Sequence, residues 1–550
     1  MASRCCFQWL LLAQAALTVA ASSDSCHFPA VFNFGDSNSD TGGLSTAFGA
    51  ARHPTMSPSF GKLVGRNCDG RLLVDFIASS LDLPFLSTYL NSIGTNFSHG
   101  ANFATAGSTI RAFTRRVEGT FGSPTLGLLA ASLMFWTGSH LKRRRLNVFL
   151  YLYHNNSIPI ISLLFSFFSM ASSYCLQWLL LAQALLIVAA SSDSCHFPAI
   201  FNFGDSNSDT GGLSAAFGAT PPPYGESFFG EPVGRYSDGR LLIDFIASSL
   251  GLPFLSAYLN SVGTNFSHGA NFATSGSTIR QPYATLSQSG FSPISMDVQT
   301  WEFSQFKSRS QALIQRVGLF KDQLPKEEYF SQALYTIDIG QNDLTESYFI
   351  NWTTKEVKSA IPDILDKFVL AIQSIYWEGG RYFWIHNTGP FGCLPYVLDR
   401  LTLKAPEVDR FGCGAPFNEV AQLFNRKLNQ TLSRLRKDLP LGVFTYVDIY
   451  SIKRELLSHA HQHGFELPLV ACCGHGGKYN YNINIGCGST VTRNGKEVMV
   501  GKSCQNPSKR IIWDRVHYTD AANKWIFQQI VDGKFSDPQV PLTLACKAKI

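Results

Sequence analysis

Residues 199–209 read Ala-Ile-Phe-Asn-Phe-Gly-Asp-Ser-Asn-Ser-Asp, and this stretch decides the fold. Its first five residues form a mostly apolar run bounded by Pro198 and Gly204, the pattern of a short buried strand. The chain then turns at Gly204-Asp205-Ser206-Asn207-Ser208-Asp209. A strand-to-helix turn of this kind exposes a serine hydroxyl above the sheet while its backbone N–H faces the same space. Working outward, 332–339, 381–386 and 443–447 are further strand-like runs. Residues 240–250, 356–377 (apart from the early Pro362), 419–436 and 520–531 carry helical spacing. Strands alternating with helices imply parallel pairing through right-handed crossovers, hence an α/β fold. The expected architecture is three-layer α/β/α with a mainly parallel central sheet. Such open sheets bind ligands beyond the carboxyl ends of their strands.

Two further blocks follow, one of them just after such a run. Gly340-Gln341-Asn342-Asp343 brings an amide side chain to the strand ends, and Asp514-Arg515-Val516-His517 precedes the last helix. A serine hydroxyl is a weak nucleophile and needs a neutral imidazole to accept its proton. In this reading Ser206 is the nucleophile and His517 the general base and acid. Asp514 fixes the imidazole tautomer and stabilises the imidazolium. An oxyanion needs donors already in place, and the candidates are the backbone N–H groups of Ser206 and Gly276 and the side-chain amide of Asn342. Asp205 and Asp209 read as braces of the turn. His268, His386 and His475 read as structural, and Tyr224, Phe228 and Phe229 as a candidate acyl pocket.

These blocks, with Asn271-Phe272-Ala273-Thr274-Ser275-Gly276, Phe391-Gly392-Cys393-Leu394-Pro395 and Ala471-Cys472-Cys473-Gly474, resemble the plant GDSL esterase/lipases of the SGNH hydrolase superfamily. The run 260–279 is most similar to the early-nodulin-like esterase branch. The resemblance covers essentially all of 195–550 and implies a flavodoxin-like hydrolase domain, no cofactor and no metal. It implies a small-molecule acyl ester as substrate: an acetylated glycan, a metabolite or a lipid. Gly269 shares a block with Gly276 and competes with it for the oxyanion role. An acyltransferase on the same scaffold and a non-catalytic secreted binding or storage protein are the alternatives. A glycosidase would want two carboxylates facing a sugar, and no such pair stands out.

A long internal repeat sets the domain organisation. At a constant offset of 169, residues 22–50 recur as 191–219, and 65–111 as 234–280; the leading 1–3 and 8–21 recur as 170–172 and 177–190. One long segment repeated once, leader included, is no solenoid array. The expected layout is a signal peptide at 1–23, a truncated duplicate of the hydrolase N-terminal part at 24–111, an unrelated linker at 112–169, a second signal-peptide-like segment at 170–192 and the hydrolase domain at 193–550. The linker reads as translated non-coding sequence between two joined gene copies. The first copy has Ser37 in the same turn but no later Gly-x-Asn-Asp or Asp-x-x-His before residue 169, so Ser37 reads as inert.

The leader, with Arg4, the apolar run 7–20 and small residues 21–23, reads as a signal for the secretory route, and the resemblance to the plant family implies the apoplast or cell wall as the compartment. Cysteines are then disulfide candidates, and eight lie from Cys195 onward, enough for four bridges of open connectivity. Zinc on Cys472, Cys473 and His475 is disfavoured by the absence of paired C-x2-C spacing. Asn265, Asn351 and Asn429 are sequons. A net charge of +6 over 550 residues, with its one dense basic run at 142–145, argues against nucleic acid. That run would flank a membrane segment only if 158–190 acted as an anchor.

Overall fold

A computed structural model describes residues 28–48, 71–91, 95–106, 108, 195–283, 291–317 and 320–547. The leader, the linker and the second leader-like segment lie outside the described residues, and so does the anchor reading of 158–190. Among the described residues no helix is long and apolar enough to cross a membrane.

The central sheet contains β1 (Ile200–Gly204), β2 (Gly269–Asn271), β3 (Leu334–Asp338), β4 (Tyr382–His386) and β5 (Val443–Val447). A small hairpin follows, β6 (Thr490–Arg493) with β7 (Lys496–Met499), and β8 (Ser536–Asp537) returns to the sheet edge. The order is β8-β5-β4-β3-β1-β2, all parallel except β8 against β5. The strands read from the sequence are therefore present. The four helices read from the sequence are present as α2 (Leu242–Ser249), α5 (Thr354–Trp377), α6 (Ala415–Asp438) and α8 (Asp520–Ile530), and α1 (Gly212–Phe217), α3 (Met296–Val317), α4 (Gln341–Phe349) and α7 (Ile449–Ser458) add to them. α5 runs straight through Pro362, whose missing N–H interrupts the sequence pattern without ending the helix. Helices α3, α5 and α6 pack together as one layer, and α2, α7 and α8 as another.

β1 lies where the strand order reverses: the chain leaves it for β2 on one side and returns as β3 on the other. The crevice at the carboxyl ends of β1 and β3 is thus the topological switch point. Both strands are fully buried, as a parallel sheet covered on two faces requires. Phe201 and Phe203 point to one face and meet Phe303 of α3 at 5.2 and 5.6 Å between ring centroids, within the range of favourable aromatic pairing.

The duplicated segment reproduces the local structure but only part of the burial: Leu72, Val74 and Leu86 keep a small core. Val31–Asn33 pairs in parallel with Gly100–Asn102, in the register that β1 and β2 use. Yet Phe32, Phe34 and Leu73 are 62%, 73% and 72% exposed, whereas their repeats Phe201, Phe203 and Leu242 are 0%, 0% and 3% exposed. These three residues are dry in one copy and wet in the other because, among the described residues, β3 to β5 and their helices have no counterpart in the first copy.

Candidate active site

Gly204 ends β1 and must be glycine, since a Cβ there would lie 2.4 Å from the Asp338 carbonyl oxygen. Gln299 of α3 closes the strand end, accepting from Gly204 N–H (2.9 Å) and donating to Gly204 O (2.8 Å). Beneath the turn, Asn202 donates to Ser208 Oγ (3.0 Å) and to Asn271 Oδ1 (2.7 Å). Asn271 in turn donates to Ser208 O (2.6 Å). Asp209 accepts from Gly211, Gly212, Leu213 and Ser275 N–H groups, joining the start of α1 to the loop after β2. Four backbone donors on one carboxylate make Asp209 a brace. Ser206 is thereby held at the top of a turn whose every flank is pinned.

His517 and Asp514 are brought together. Asp514 Oδ2 accepts from His517 Nδ1 at 2.7 Å, and because a carboxylate only accepts, Nδ1 carries the proton. Asp514 Oδ1 accepts from the N–H groups of Val516 (2.7 Å) and His517 (2.9 Å). Burial pushes the Asp514 carboxyl upward, but the charge and hydrogen bond of His517 and the two N–H donors outweigh it. They hold the group well below the usual carboxylate range. His517 Nε2 is buried with no hydrogen-bond partner among the described residues. No hydrogen bond joins it to Ser206 Oγ; such contacts often tighten only when substrate is bound.

Three supports were not legible beforehand. Tyr224, read as an acyl-pocket residue, lines the cleft and donates its phenol to Asp514 Oδ2 at 2.7 Å. Tyr236 lays its ring against the His517 imidazole, 5.3 Å between centroids. The turn bearing His517 is closed by Trp513 N–H donating to His517 O (2.7 Å) and is stitched to Cys472 and Cys473 through Ile512 O and Trp513 O. Those two cysteines are bridged to Cys504 and Cys487 respectively, which excludes them as metal ligands. Cys195–Cys546 and Cys393–Cys413 complete the four disulfides. Phe228 and Phe229 line no part of the cleft; they stack on Arg240 and Arg235.

The oxyanion candidates divide. Gly269 belongs to β2, where a Cβ would lie 1.8 Å from Ile200 O, so its glycine is a requirement of strand pairing. Gly276 sits in the turn beyond β2 at φ +79°, a conformation that favours glycine. Among the described residues neither its N–H nor that of Ser206 donates to another protein group. Asn342, at the start of α4, gives one amide hydrogen to Ser277 O (2.9 Å) and the other, weakly, to Asp205 Oδ2 (3.4 Å). An oxyanion has only that longer contact to displace. Asp205 is pushed up to about 7 by burial and by the neighbouring Asp338 carboxylate.

Asp514, His517, Tyr224, Tyr236 and Ser275 line a cleft of about 320 Å³. Two larger hollows, about 400 Å³ beside Arg280 and about 550 Å³ beside Tyr479, hold none of the candidate residues. Among the described residues no cluster of potential metal ligands occurs. Asn265 and Asn351 are exposed and Asn429 half-exposed.

The GDSL-like Lipase/Acylhydrolase family profile matches residues 31–137 and 200–530. The chain belongs to that family. Its first matched stretch runs past Arg111, where the internal repeat stops. A GDSL esterase/lipase of Zea mays named ACHE is 59% identical over 363 residues, covering 66% of this chain and 92% of that protein. An Arabidopsis thaliana protein named Alpha-L-fucosidase 3 is also 59% identical, over 353 residues, 64% of this chain and 93% of its own length. The GDSL esterase/lipase ENOD8 of Medicago truncatula is 50% identical over 359 residues, 65% of this chain and 92% of its own. The family is one of hydrolases of ester bonds, and the nodulin-like branch is represented among the relatives.

Proposed function

We propose that residues 193–550, ester hydrolase by family, cleave acyl esters through an acyl-serine intermediate on Ser206. His517 Nε2 takes the Ser206 hydroxyl proton as Oγ bonds to the acyl carbon. The carbonyl electron pair moves onto oxygen and is met by the N–H groups of Ser206 and Gly276 and by Asn342 Nδ2. On collapse the alcohol leaves with the proton from His517; water repeats the sequence and releases the acid. Asp514 keeps the proton on Nδ1 throughout. The observation that supports this reading is the buried Asp514–His517 pair with Nε2 unpartnered, in a cleft also lined by Leu213 of α1, the helix that follows the Ser206 turn, and by Ser275, the neighbour of Gly276.

Substrates of the proposed enzyme are small acyl esters, among them acetylated glycans, metabolites or short lipids, and the modest cleft volume favours short acyl groups. Four disulfides and surface sequons support secretion into an oxidising space such as the apoplast or cell wall. Residues 24–111 are a truncated, silent duplicate, a reading supported by the exposure of Phe32, Phe34 and Leu73, whose repeats are buried. The test is turnover of p-nitrophenyl acetate by wild type and Ser206→Ala, with p-nitrophenyl α-L-fucoside as the glycosidase control. Acetate hydrolysis that disappears in Ser206→Ala is expected. Fucoside cleavage independent of Ser206 contradicts the proposal, and alcohol-dependent product would make the chain an acyltransferase.

A further inference from the structure

Arg515 stands between Asp514 and His517 and lines the same cleft. Its backbone is fixed: Tyr396 N–H donates to Arg515 O at 3.3 Å, and the Trp513–His517 hydrogen bond closes the turn around it. The guanidinium is exposed and has neither an ion pair nor a hydrogen bond among the described residues. Four arginines elsewhere in the domain are matched: Arg235 with Asp244, Arg240 with Asp520, Arg436 with Asp537 and Arg454 with Asp409.

The charges around Arg515 do not cancel it. Asp514, the only carboxylate lining the cleft among the described residues, is already engaged by His517, Tyr224 and two N–H groups. Arg515 acts electrostatically on the phenols of Tyr224, Tyr396 and Tyr481. Asp399 also acts on Tyr481, but Arg400 acts there with the opposite sign. A cleft with low-dielectric walls focuses such an uncompensated charge, and the guanidinium fork matches a carboxylate.

We infer that Arg515 makes this cleft selective for esters bearing a carboxylate close to the scissile bond, on the acid or the alcohol side. The inference rests on the cleft being the ester-cleaving site. An acyl ester of an acidic sugar or of a dicarboxylic acid has that chemistry. Because Arg515 is exposed, a single such contact is worth about fivefold in kcat/KM.

Two matched pairs test it on the full chain: p-nitrophenyl hemisuccinate against p-nitrophenyl butyrate, and 3-acetoxybenzoate against its methyl ester. The readout is the ratio of kcat/KM for the charged to the neutral member, which cancels any loss of folded enzyme. In at least one pair, Arg515→Gln is expected to lower that ratio about fivefold, and Arg515→Glu to lower it further. Raising the salt concentration should narrow the wild-type ratio. Turnover of both members with ratios unmoved by either variant overturns the inference alone. No turnover of any of the four esters by wild type overturns it together with the hydrolase reading.

Discussion

Replacing Asp514 by asparagine should cost about 10⁴-fold in kcat while leaving KM close to its wild-type value. The geometry fixes how the amide would sit. Oδ1 receives two backbone N–H groups, from Val516 and His517, so the asparagine carbonyl oxygen must occupy that position. Its NH₂ then falls at the Oδ2 position, facing His517 Nδ1 and the Tyr224 phenol. An N–H aimed at Nδ1 requires Nδ1 to accept, which moves the imidazole proton to Nε2. An Nε2–H cannot take the proton of Ser206, so nearly every molecule is in the wrong tautomer. Four decades correspond to about 5–6 kcal/mol of activation free energy. Steady-state hydrolysis of p-nitrophenyl acetate gives kcat and KM, and the rate of fluorophosphonate labelling should fall in proportion. An Asp514→Asn enzyme within tenfold of wild type in kcat would refute the assignment of His517 as base and Asp514 as its orienter.

Other substitutions separate the supports. Tyr224→Phe removes one hydrogen bond to a buried carboxylate, so thermal melting at neutral pH should report a loss of about 1.5–3 kcal/mol, with a kcat loss far smaller than that of Asp514→Asn. Asp205 is raised in the folded state from 3.8 to about 7, mainly by burial. Between those pH values the folded chain holds a proton that the unfolded chain has released, so this group's contribution to stability falls as pH rises from about 4 to 7. Urea midpoints should show Asp205→Asn gaining on wild type across that window, by at most about 4 kcal/mol. The Cys195→Ser/Cys546→Ser double variant opens a bridge spanning 351 residues and should lose about 2–5 kcal/mol in non-reducing urea titrations.

Local signals explain what the sequence revealed. β1, β3, β4 and β5 are apolar runs closed by glycine, proline or polar residues, and Asp514 and His517 lie three residues apart, so both fold class and acid–base pair are visible in short windows. β2 is Gly-Ala-Asn, three residues without β propensity; it is a strand because glycine lets β1 approach. α3 is rich in polar and charged residues, and the buried Phe303 and Phe306 give it only a narrow apolar face. Tyr224 is 290 residues from the carboxylate it holds, and no local pattern encodes such a contact. The adjacent Cys472 and Cys473 take different partners, which spacing alone leaves open.

The central claim is that one serine of this chain, Ser206, is an activated nucleophile, and labelling tests it most directly. The full-length chain is treated with a fluorophosphonate and the modified peptide mapped by mass spectrometry, alongside Ser206→Ala and Ser37→Ala. The account predicts adduct on the Ser206 peptide, undiminished by Ser37→Ala and abolished by Ser206→Ala. Adduct on Ser37, or none on a folded wild-type protein, would contradict it.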